Sequence, residues 1–208
     1  MSGYKTIAEA VTASFIEKKS EFIGNITHCR NEEEAIAFIQ EIRRQHRKAT
    51  HNCYAYILRD NNTARHSDDG EPSGTAGAPM LEVLMKEGLT DVCCVVTRYF
   101  GGIKLGASGL VRAYTEGVKI AVDAAQIKEM RMAEQLSLTL DYSLYGKIGT
   151  TLSEFDVRIC KEDFAADVTV TLYIAEEKSR EFSERLTDIC CGKINIERLS
   201  SEEYDFGK

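Results

Sequence analysis

Apolar residues recur at strand and helix spacings through the first two thirds of the chain. Asn31 stands where a helix N-cap is expected, with Glu34 as its capping-box partner, and the apolar spacing that follows predicts a helix to about Arg47. The other predicted helices run from Pro79 to near Gly88 and over residues 108–127. Strands are predicted at residues 22–27, 52–58, 63–66 and 92–99, with a turn at 60–62.

The pattern changes after Met130. Asp141 or Ser143 is expected to cap a helix that follows the first strand of this region. The predicted order is β-α-β-β-α-β, which is typical of the ferredoxin-like split βαβ unit. We therefore expect an α+β protein with two domains, residues 1–131 and 132–208, and a frayed final stretch, SSEEYDFGK. The predicted strands are 135–141, 157–161, 167–174 and 194–199, and the predicted helices are 142–155 and 176–190.

The composition is that of a well-packed protein. With 208 residues, 43% of them hydrophobic, the chain is long enough for one or two domains with their own cores. It contains no apolar run near the ~18 residues of a membrane span, and its start lacks the features of a secretory signal. Seven cysteines without a C-x-x-C spacing fit reduced thiols. We expect a cytoplasmic protein without a membrane partner, a metal or another cofactor.

The net charge of −7 argues at first against nucleic acid as a partner. The charge is unevenly distributed, however. Up to Arg131 there are 17 basic and 17 acidic residues, and from Met132 onward there are 9 basic and 16 acidic residues. The excess of acid therefore belongs to the C-terminal domain, and a polyanionic partner is not excluded for the N-terminal domain.

Two stretches are dense in glycine, which is used where the backbone needs positive φ or approaches another group closely. They read HSDDGEPSGTAGAPM at 66–80 and TRYFGGIKLGASGLVRAY at 97–114. Together with HNCYA at 51–55, these blocks resemble the Impact/YigZ family. The resemblance implies an N-terminal left-handed βαβ domain, similar to the second domain of a small-subunit ribosomal protein and to domain IV of elongation factor G, followed by a ferredoxin-like domain similar to domain V of that factor. It also implies a link to translational control, because the family's eukaryotic members bind the activator of the amino-acid-starvation kinase.

The second stretch lies between a predicted strand and a predicted helix, a setting in which backbone N–H groups can bind an anion. Its glycines at 101 and 106 have P-loop spacing, but Ala107 stands where the phosphate-binding lysine belongs, so this is not a Walker A motif. We expect either a purely structural loop or an anion site. In the second case Gly106, Ala107 and Ser108 contribute amides, and the nearby cations are Arg98, Lys104 and Arg112.

The first stretch holds three carboxylates in four residues, Asp68, Asp69 and Glu71, followed by Ser73 and Gly74. A magnesium site is one interpretation. Bonding to the local backbone is the commoner explanation, so no metal is expected. Pairing with Arg98 or Arg112, which would fix the two stretches together, is a third interpretation.

His51 and Cys53 point to one face of a strand but lie roughly 6.5 Å apart at Cα, too far for a nucleophile pair. We expect them to be satisfied polar or core residues.

The last turn of the first predicted helix is rich in basic residues. Their positive charge either complements the helix dipole or forms part of a nucleic-acid-binding surface. The candidate surface consists of Arg43, Arg44, Arg47, Lys48, Arg98, Lys104 and Arg112, with Tyr54, Tyr56, Tyr99 and Phe100 as stacking groups.

The sequence thus favours a translation-associated regulator that binds RNA, the ribosome or a translation-control protein, without covalent chemistry. The ferredoxin-like domain lacks an RNP1-type pattern, which favours protein contact for that domain. The alternative is a hydrolase for a phosphorylated or nucleotide substrate, with the two glycine-rich stretches as opposite walls of one cleft.

Overall fold

The computed structural model describes residues 3–207; Met1, Ser2 and Lys208, which belong to the two expected domains, lie outside the described residues. The chain forms two compact units, one of residues 4–128 and one that combines Gly3 with the residues from Glu129 onward. The division falls inside a single strand, Ile127–Leu140. This explains why no linker composition marks it in the sequence.

The N-terminal unit is built on a five-stranded antiparallel sheet in the order β2-β3-β6-β4-β5. The short β1 (Tyr4–Ile7) precedes it, and Lys5 of β1 forms a parallel bridge with Leu89. The sheet strands are β2 (Val11–Glu17), β3 (Ser20–His28), β4 (His51–Leu58), β5 (Thr63–Ser67) and β6 (Val92–Tyr99). The helices are α1 (Glu32–Gln45), α2 (Gly77–Lys86) and α3 (Ala107–Ala124), and a single 3-10 turn spans Asp60–Asn62.

Helices cover both faces of this sheet. One core, around Phe22, Met80 and Tyr114, contains residues of α2 and α3, and a second core, around Ile39 and Tyr56, contains residues of α1. The central strand β6 is therefore buried on both faces, which is why its sequence is a continuous apolar run. The predicted N-cap is confirmed, since the Asn31 side chain accepts the Glu34 N–H at 2.9 Å. Strands β1 and β2 were not predicted.

The C-terminal unit contains four antiparallel strands in the order β10-β7-β9-β8. Asp141 caps its first helix by accepting the Ser143 N–H at 2.7 Å. This topology confirms the predicted α+β class and the ferredoxin-like order. The strands are β7 (Ile127–Leu140), β8 (Arg158–Phe164), β9 (Val168–Ala175) and β10 (Ile194–Asp205), and the helices are α4 (Tyr142–Glu154) and α5 (Glu176–Ile189).

The prediction of a frayed C-terminal stretch is wrong for its described part. Strand β10 continues to Asp205, because β7 begins at Ile127, well before the predicted start, and gives these residues a partner. Tyr204 stacks on Tyr173 with ring centroids 4.0 Å apart, and Phe206 is buried. The polar run SSEE lacks the apolar alternation that would have indicated a strand in the sequence. Lys208, the last residue of the predicted stretch, lies outside the described residues.

No helix in residues 3–207 has both the length and the apolar character needed to cross a membrane.

Candidate functional site

The two glycine-rich stretches line one cleft of about 400 Å³ in the N-terminal unit. Glu71 and Pro72 come from the first stretch, and Phe100 and the segment 104–107 come from the second. The start of β4 contributes His51 to the same cleft. The two stretches are thus neighbours across a ligand-sized opening, which is the arrangement that the hydrolase alternative requires.

A buried ion pair lies at this cleft. Arg98, near the end of β6, donates from Nη1 to Glu71 Oε1 at 2.7 Å, and both side chains are more than nine-tenths buried. The Tyr114 hydroxyl of α3 donates to the same oxygen at 2.8 Å. Burial raises the pKa of Tyr114, so this hydroxyl keeps its proton and remains a donor. Arg98 Nε is buried and has no hydrogen-bond partner among residues 3–207.

His51 is held by the backbone of the first stretch. Its Nδ1 lies 2.8 Å from the Asp69 carbonyl oxygen. Because a carbonyl oxygen only accepts, Nδ1 carries a proton, and Nε2 is an acceptor when the ring is neutral. Nε2 lies 3.9 Å from Glu71 Oε2. Gly70 has φ +90°, and a Cβ there would lie 3.3 Å from the imidazole, so both the conformation and the space favour glycine.

The other carboxylates of the first stretch bind the protein's own donors. Asp68 accepts the backbone N–H groups of Gly74, Ala76 and Gly77 at 2.8–3.0 Å. Burial opposes ionisation of Asp68, but these three bonds outweigh it and lower its pKa. Asp69 accepts from Arg43 Nη2 at 2.5 Å and from the Asn52 N–H at 2.7 Å.

These contacts fold the first stretch into its observed shape. Gly74, at φ +76°, and the exposed Ser73 form the outer turn of this loop. Across the described chain, no group of three or more His, Cys, Asp or Glu side chains is placed to hold a metal ion.

Cys53 lies in the core of the N-terminal unit. It is fully buried, and its Sγ lies 2.9 Å from the Asp68 carbonyl oxygen. Burial raises the pKa of its thiol to about 12, so the nucleophilic thiolate is scarce at neutral pH. His51 and Cys53 bind different backbone carbonyls and do not form a nucleophile pair.

The second stretch leaves the first turn of α3 open. Gly106 occupies the N-cap position with φ +75°, and no side chain caps the helix. Gly106, Ala107, Ser108 and Lys104 are exposed, and Lys104 forms no ion pair with any described residue. Upstream, Gly101 packs against the turn between β2 and β3, where a Cβ would lie 1.9 Å from the Lys19 carbonyl oxygen.

The predicted cations fall into two groups. Three are engaged: Arg43 with Asp69, Arg44 with Glu41 at 2.6 Å, and the buried Arg98 with Glu71. The others are exposed and form no ion pair within residues 3–207; they are Arg47, Lys48, Lys104 and Arg112.

Among the predicted stacking groups, only Phe100 lines the cleft. Tyr54 stacks on Tyr56 at 6.1 Å on the α1 side of the sheet, and the Tyr99 hydroxyl lies 3.0 Å from His46 Nδ1.

Two cations were not predicted. Lys18 and Lys19 form the turn between β2 and β3, and Lys18 lines, with Arg112, a second cleft of about 290 Å³. Leu105 lines both clefts. The polar run EKKS between two alternating stretches was the available signal for this hairpin turn.

The C-terminal unit has a wider, open groove of about 830 Å³ beside α5 and β10. Its charged lining includes Glu134, Glu184, Asp188 and Arg198. Glu134 accepts a hydrogen bond from the Ser179 hydroxyl and pairs with Arg198 at 3.2 Å. The charged lining of the groove is thus mostly acidic, and Arg198 already pairs with Glu134.

Fold and site together define a two-domain α+β protein whose N-terminal unit presents an open cleft between two glycine-rich stretches. Residues 18–122 match the family model described as the Impact N-terminal domain, and residues 138–193 match a domain of unknown function, DUF1949. The chain belongs to the Impact family. The resemblance carried by its motifs is confirmed.

Relatives cover nearly the whole chain. The IMPACT family member YvyE of Bacillus subtilis (strain 168) is 42% identical over 197 residues, which is 94% of this chain and 91% of that protein. The IMPACT family member YigZ of Escherichia coli (strain K12) is 35% identical over 206 residues, covering 98% and 100% of the two chains. The crystal structure of a hypothetical protein, 35% identical, superposes with a TM-score of 0.61 and covers 97% of this chain and 100% of that one.

Proposed function

We propose that this protein acts in translation control in the cytoplasm by binding RNA or the ribosome through its N-terminal unit, without covalent chemistry. The observation that carries the proposal is the open N-terminus of α3 beside the unpaired Lys104 and near Arg112 in the first turns of the same helix. Helix N-termini and unpaired cations are groups that bind phosphate. Family membership supports the link to translation, as the resemblance of the motifs implies.

The charge distribution supports an N-terminal contact surface. The four predicted cations that form no ion pair within residues 3–207 lie in the N-terminal unit, whereas the groove of the C-terminal unit is mostly acidic. A polyanion is therefore attracted to one unit and repelled by the other. In this proposal, the C-terminal unit contacts a translation-control protein.

Binding of this kind depends on salt. Each phosphate contact on a single strand releases counterions and contributes about −0.7 to the slope of log K against log salt concentration. Contacts from Lys18, Lys104 and Arg112 predict a slope of about −2. Fluorescence anisotropy with a labelled single-stranded oligoribonucleotide, across a potassium chloride series, measures this slope.

The matched variants carry equal changes in charge. K104Q/R112Q is expected to weaken binding and to flatten the salt slope, whereas K178Q/K193Q in the C-terminal unit is expected to leave both unchanged, since these lysines are exposed but lie in the other unit. Absence of binding at low salt, or an affinity that does not vary with salt, overturns the proposal.

A hydrolase for a phosphorylated substrate is the second candidate, because His51 presents an acceptor Nε2 in a cleft beside an open helix N-terminus. A screen with phosphomonoesters and nucleotides tests it. Hydrolysis that is lost in H51Q supports this candidate. Hydrolysis that survives the substitution, or its absence in the unaltered protein, removes it.

A further inference from the structure

We propose that the cleft between the glycine-rich stretches binds one ribonucleotide, with the base against Phe100 and the phosphate at the N-terminus of α3. The inference rests on the proposed function, because it names the ligand unit that the same surface receives. A free nucleoside monophosphate and an unstacked nucleotide of an RNA strand share this chemistry, and the experiment distinguishes them.

The walls of the cleft are suited to a flat, partly apolar group. The space of about 400 Å³ is in the range of small-molecule sites. Pro72, Leu105 and Leu110 line it together with Phe100, whose side chain is 46% exposed although it is large and apolar. The Arg98 guanidinium lies 5.4 Å from the centroid of the Phe100 ring. An aromatic face left open in a cleft is a platform on which a base can stack.

One end of the cleft is suited to a phosphate. Helix α3 has 18 residues and no side-chain cap, and its N-cap Gly106 and first residue Ala107 line the cleft with Lys104. A Cβ at Gly106 would meet no atom within 4 Å, and the backbone N–H groups at the start of α3 belong to the exposed residues Gly106, Ala107 and Ser108. Such N–H groups and a lysine together favour a group with negative charge.

An independent observation points to a ligand at the same place. Arg98 lines the cleft and is only 5% exposed, and its buried Nε has no hydrogen-bond partner in the described part of the chain. Its Nη1 and Nη2 already donate to Glu71 and Ser20. A buried donor without an acceptor is unfavourable and rare in native proteins. A ligand that brings an acceptor oxygen or ring nitrogen would satisfy it.

The remaining polar atoms complement donors of the ligand. His51 Nε2 and Glu71 Oε2 are both acceptors, lie 3.9 Å apart and share no hydrogen bond when the imidazole is neutral. An O–H or N–H group of the ligand can donate to either atom. Phosphate oxygens, an aromatic face and hydroxyl or amino donors occur together in a nucleotide, whereas inorganic phosphate lacks the aromatic face.

Amide NMR spectra of the full chain, titrated at constant ionic strength with adenosine monophosphate, adenosine or inorganic phosphate, test the proposal. Adenosine monophosphate should shift the amides of Gly70, Glu71, Gly106, Ala107 and Ser108 saturably at millimolar concentration or below. Adenosine and phosphate should each bind at least about tenfold more weakly, because each fills one half of the cleft. The proposal is overturned if adenosine monophosphate produces no saturable shift up to about 10 mM, or binds no better than phosphate.

Two variants at exposed positions test the contacts. F100A should weaken binding of adenosine monophosphate by about fivefold or more, since stacking on the aromatic ring is lost. F164A removes a similarly exposed ring from the C-terminal unit and should change nothing. Equal affinity of F100A and the unaltered protein contradicts the placement of the base.

The same protein separates the two proposals. If RNA binds with a steep salt dependence while adenosine monophosphate does not shift the cleft amides, the nucleotide site is wrong and the RNA surface stands. If adenosine monophosphate saturates the cleft while oligoribonucleotides do not bind, the nucleotide site stands for a free nucleotide and the RNA surface is wrong.

Discussion

Arg98 and Glu71, 27 positions apart in the chain, form a buried ion pair with Nη1 and Oε1 separated by 2.7 Å. The pair joins the end of β6 to the first glycine-rich stretch. It therefore holds the wall that contains Glu71 and Pro72 beside the wall that precedes α3. A contact of this kind was among those expected from the sequence, where Arg98 and Arg112 were the two candidate partners of the carboxylates.

Substitution E71A should strongly destabilise the N-terminal unit. It leaves the Arg98 guanidinium buried without its counterion and removes the acceptor of the Tyr114 hydroxyl. Loss of one partner of a buried ion pair costs about 3 kcal/mol or more of the free energy of unfolding. Urea denaturation measures the change.

The control is E41A, which removes an ion pair with Arg44 at the protein surface. Because water already screens that pair, E41A should leave the urea midpoint nearly unchanged. Similar losses in E71A and E41A would show that the Arg98–Glu71 contact does not hold the unit together.

Substitution G101A should be poorly tolerated. An added Cβ would lie 1.9 Å from the Lys19 carbonyl oxygen and 2.5 Å from the Ser20 backbone nitrogen, so the backbone itself must move. We expect a loss of about 2 kcal/mol or more in the free energy of unfolding. The hairpin turn with Lys18 and Lys19 should also separate from the second glycine-rich stretch, which is visible as changed amide shifts there.

The matched control is G149A in helix α4. A Cβ at Gly149 meets no atom within 4 Å. In a helix interior, alanine is more stable than glycine by up to about 1 kcal/mol. G149A should therefore be neutral or stabilising. A thermal midpoint of G101A at or above that of G149A would contradict the close approach at Gly101.

The stability of the protein should fall as the pH rises above about 8.5, the usual pKa of a free thiol. Burial raises the pKa of Cys29 and of Cys53 to about 12 in the folded state. The folded chain then binds more protons than the unfolded chain, so stability present below pH 8.5 is lost as the pH rises towards 12, by about 1.4 kcal/mol per pH unit for each thiol.

Urea denaturation at pH 8 and pH 10, with reductant present, measures this loss. The double variant C29A/C53A should show a shallower decline between the two pH values, because two of the groups that titrate on unfolding are gone. An equal decline in the variant would mean that these thiols are not buried as described.

Phe206 should stabilise the C-terminal unit although it stands near the end of the chain. It is 4% exposed and packs with Ala133, Ala175 and Tyr204. F206A should cost about 3 kcal/mol in the free energy of unfolding, the usual loss for a buried phenylalanine. Hydrogen exchange at Ser201–Asp205 should be slow in the unaltered protein, since these residues pair with β7, and faster in F206A.

The exposed Phe164, at 56%, provides the comparison. F164A is expected to change stability little. Rapid hydrogen exchange of the β10 end in the unaltered protein would restore the expectation of a frayed stretch.

Local signals were sufficient for most helices and strands. The Asn31 cap, the Asp141 cap and the apolar run of β6 each depend on residues close in sequence, and each was predicted. The end of β10 was missed because its polar residues are ordered by pairing with β7, about 70 positions away. Long-range pairing of this kind leaves no periodic signal in the strand itself.

Only part of the candidate site could be predicted from the sequence. The glycine-rich stretches mark the walls of the cleft, because glycine is needed where φ is positive and where the backbone lies against His51 or Lys19. The sequence does not reveal which cations remain unpaired, since Arg43 and Asp69, 26 positions apart, meet only in the folded chain. Nor does the sequence reveal that the hairpin of β2 and β3 places Lys18 in the same cleft as Arg112.

Photo-crosslinking of the full chain to a single-stranded RNA that contains 4-thiouridine, followed by mass spectrometry of the linked peptides, tests the central claim most directly. The account predicts crosslinks at Phe100 and within the residues that form the cleft and the start of α3, and their loss at high salt. Crosslinks concentrated in the C-terminal unit, or crosslinks at the cleft that persist unchanged at high salt, would contradict it.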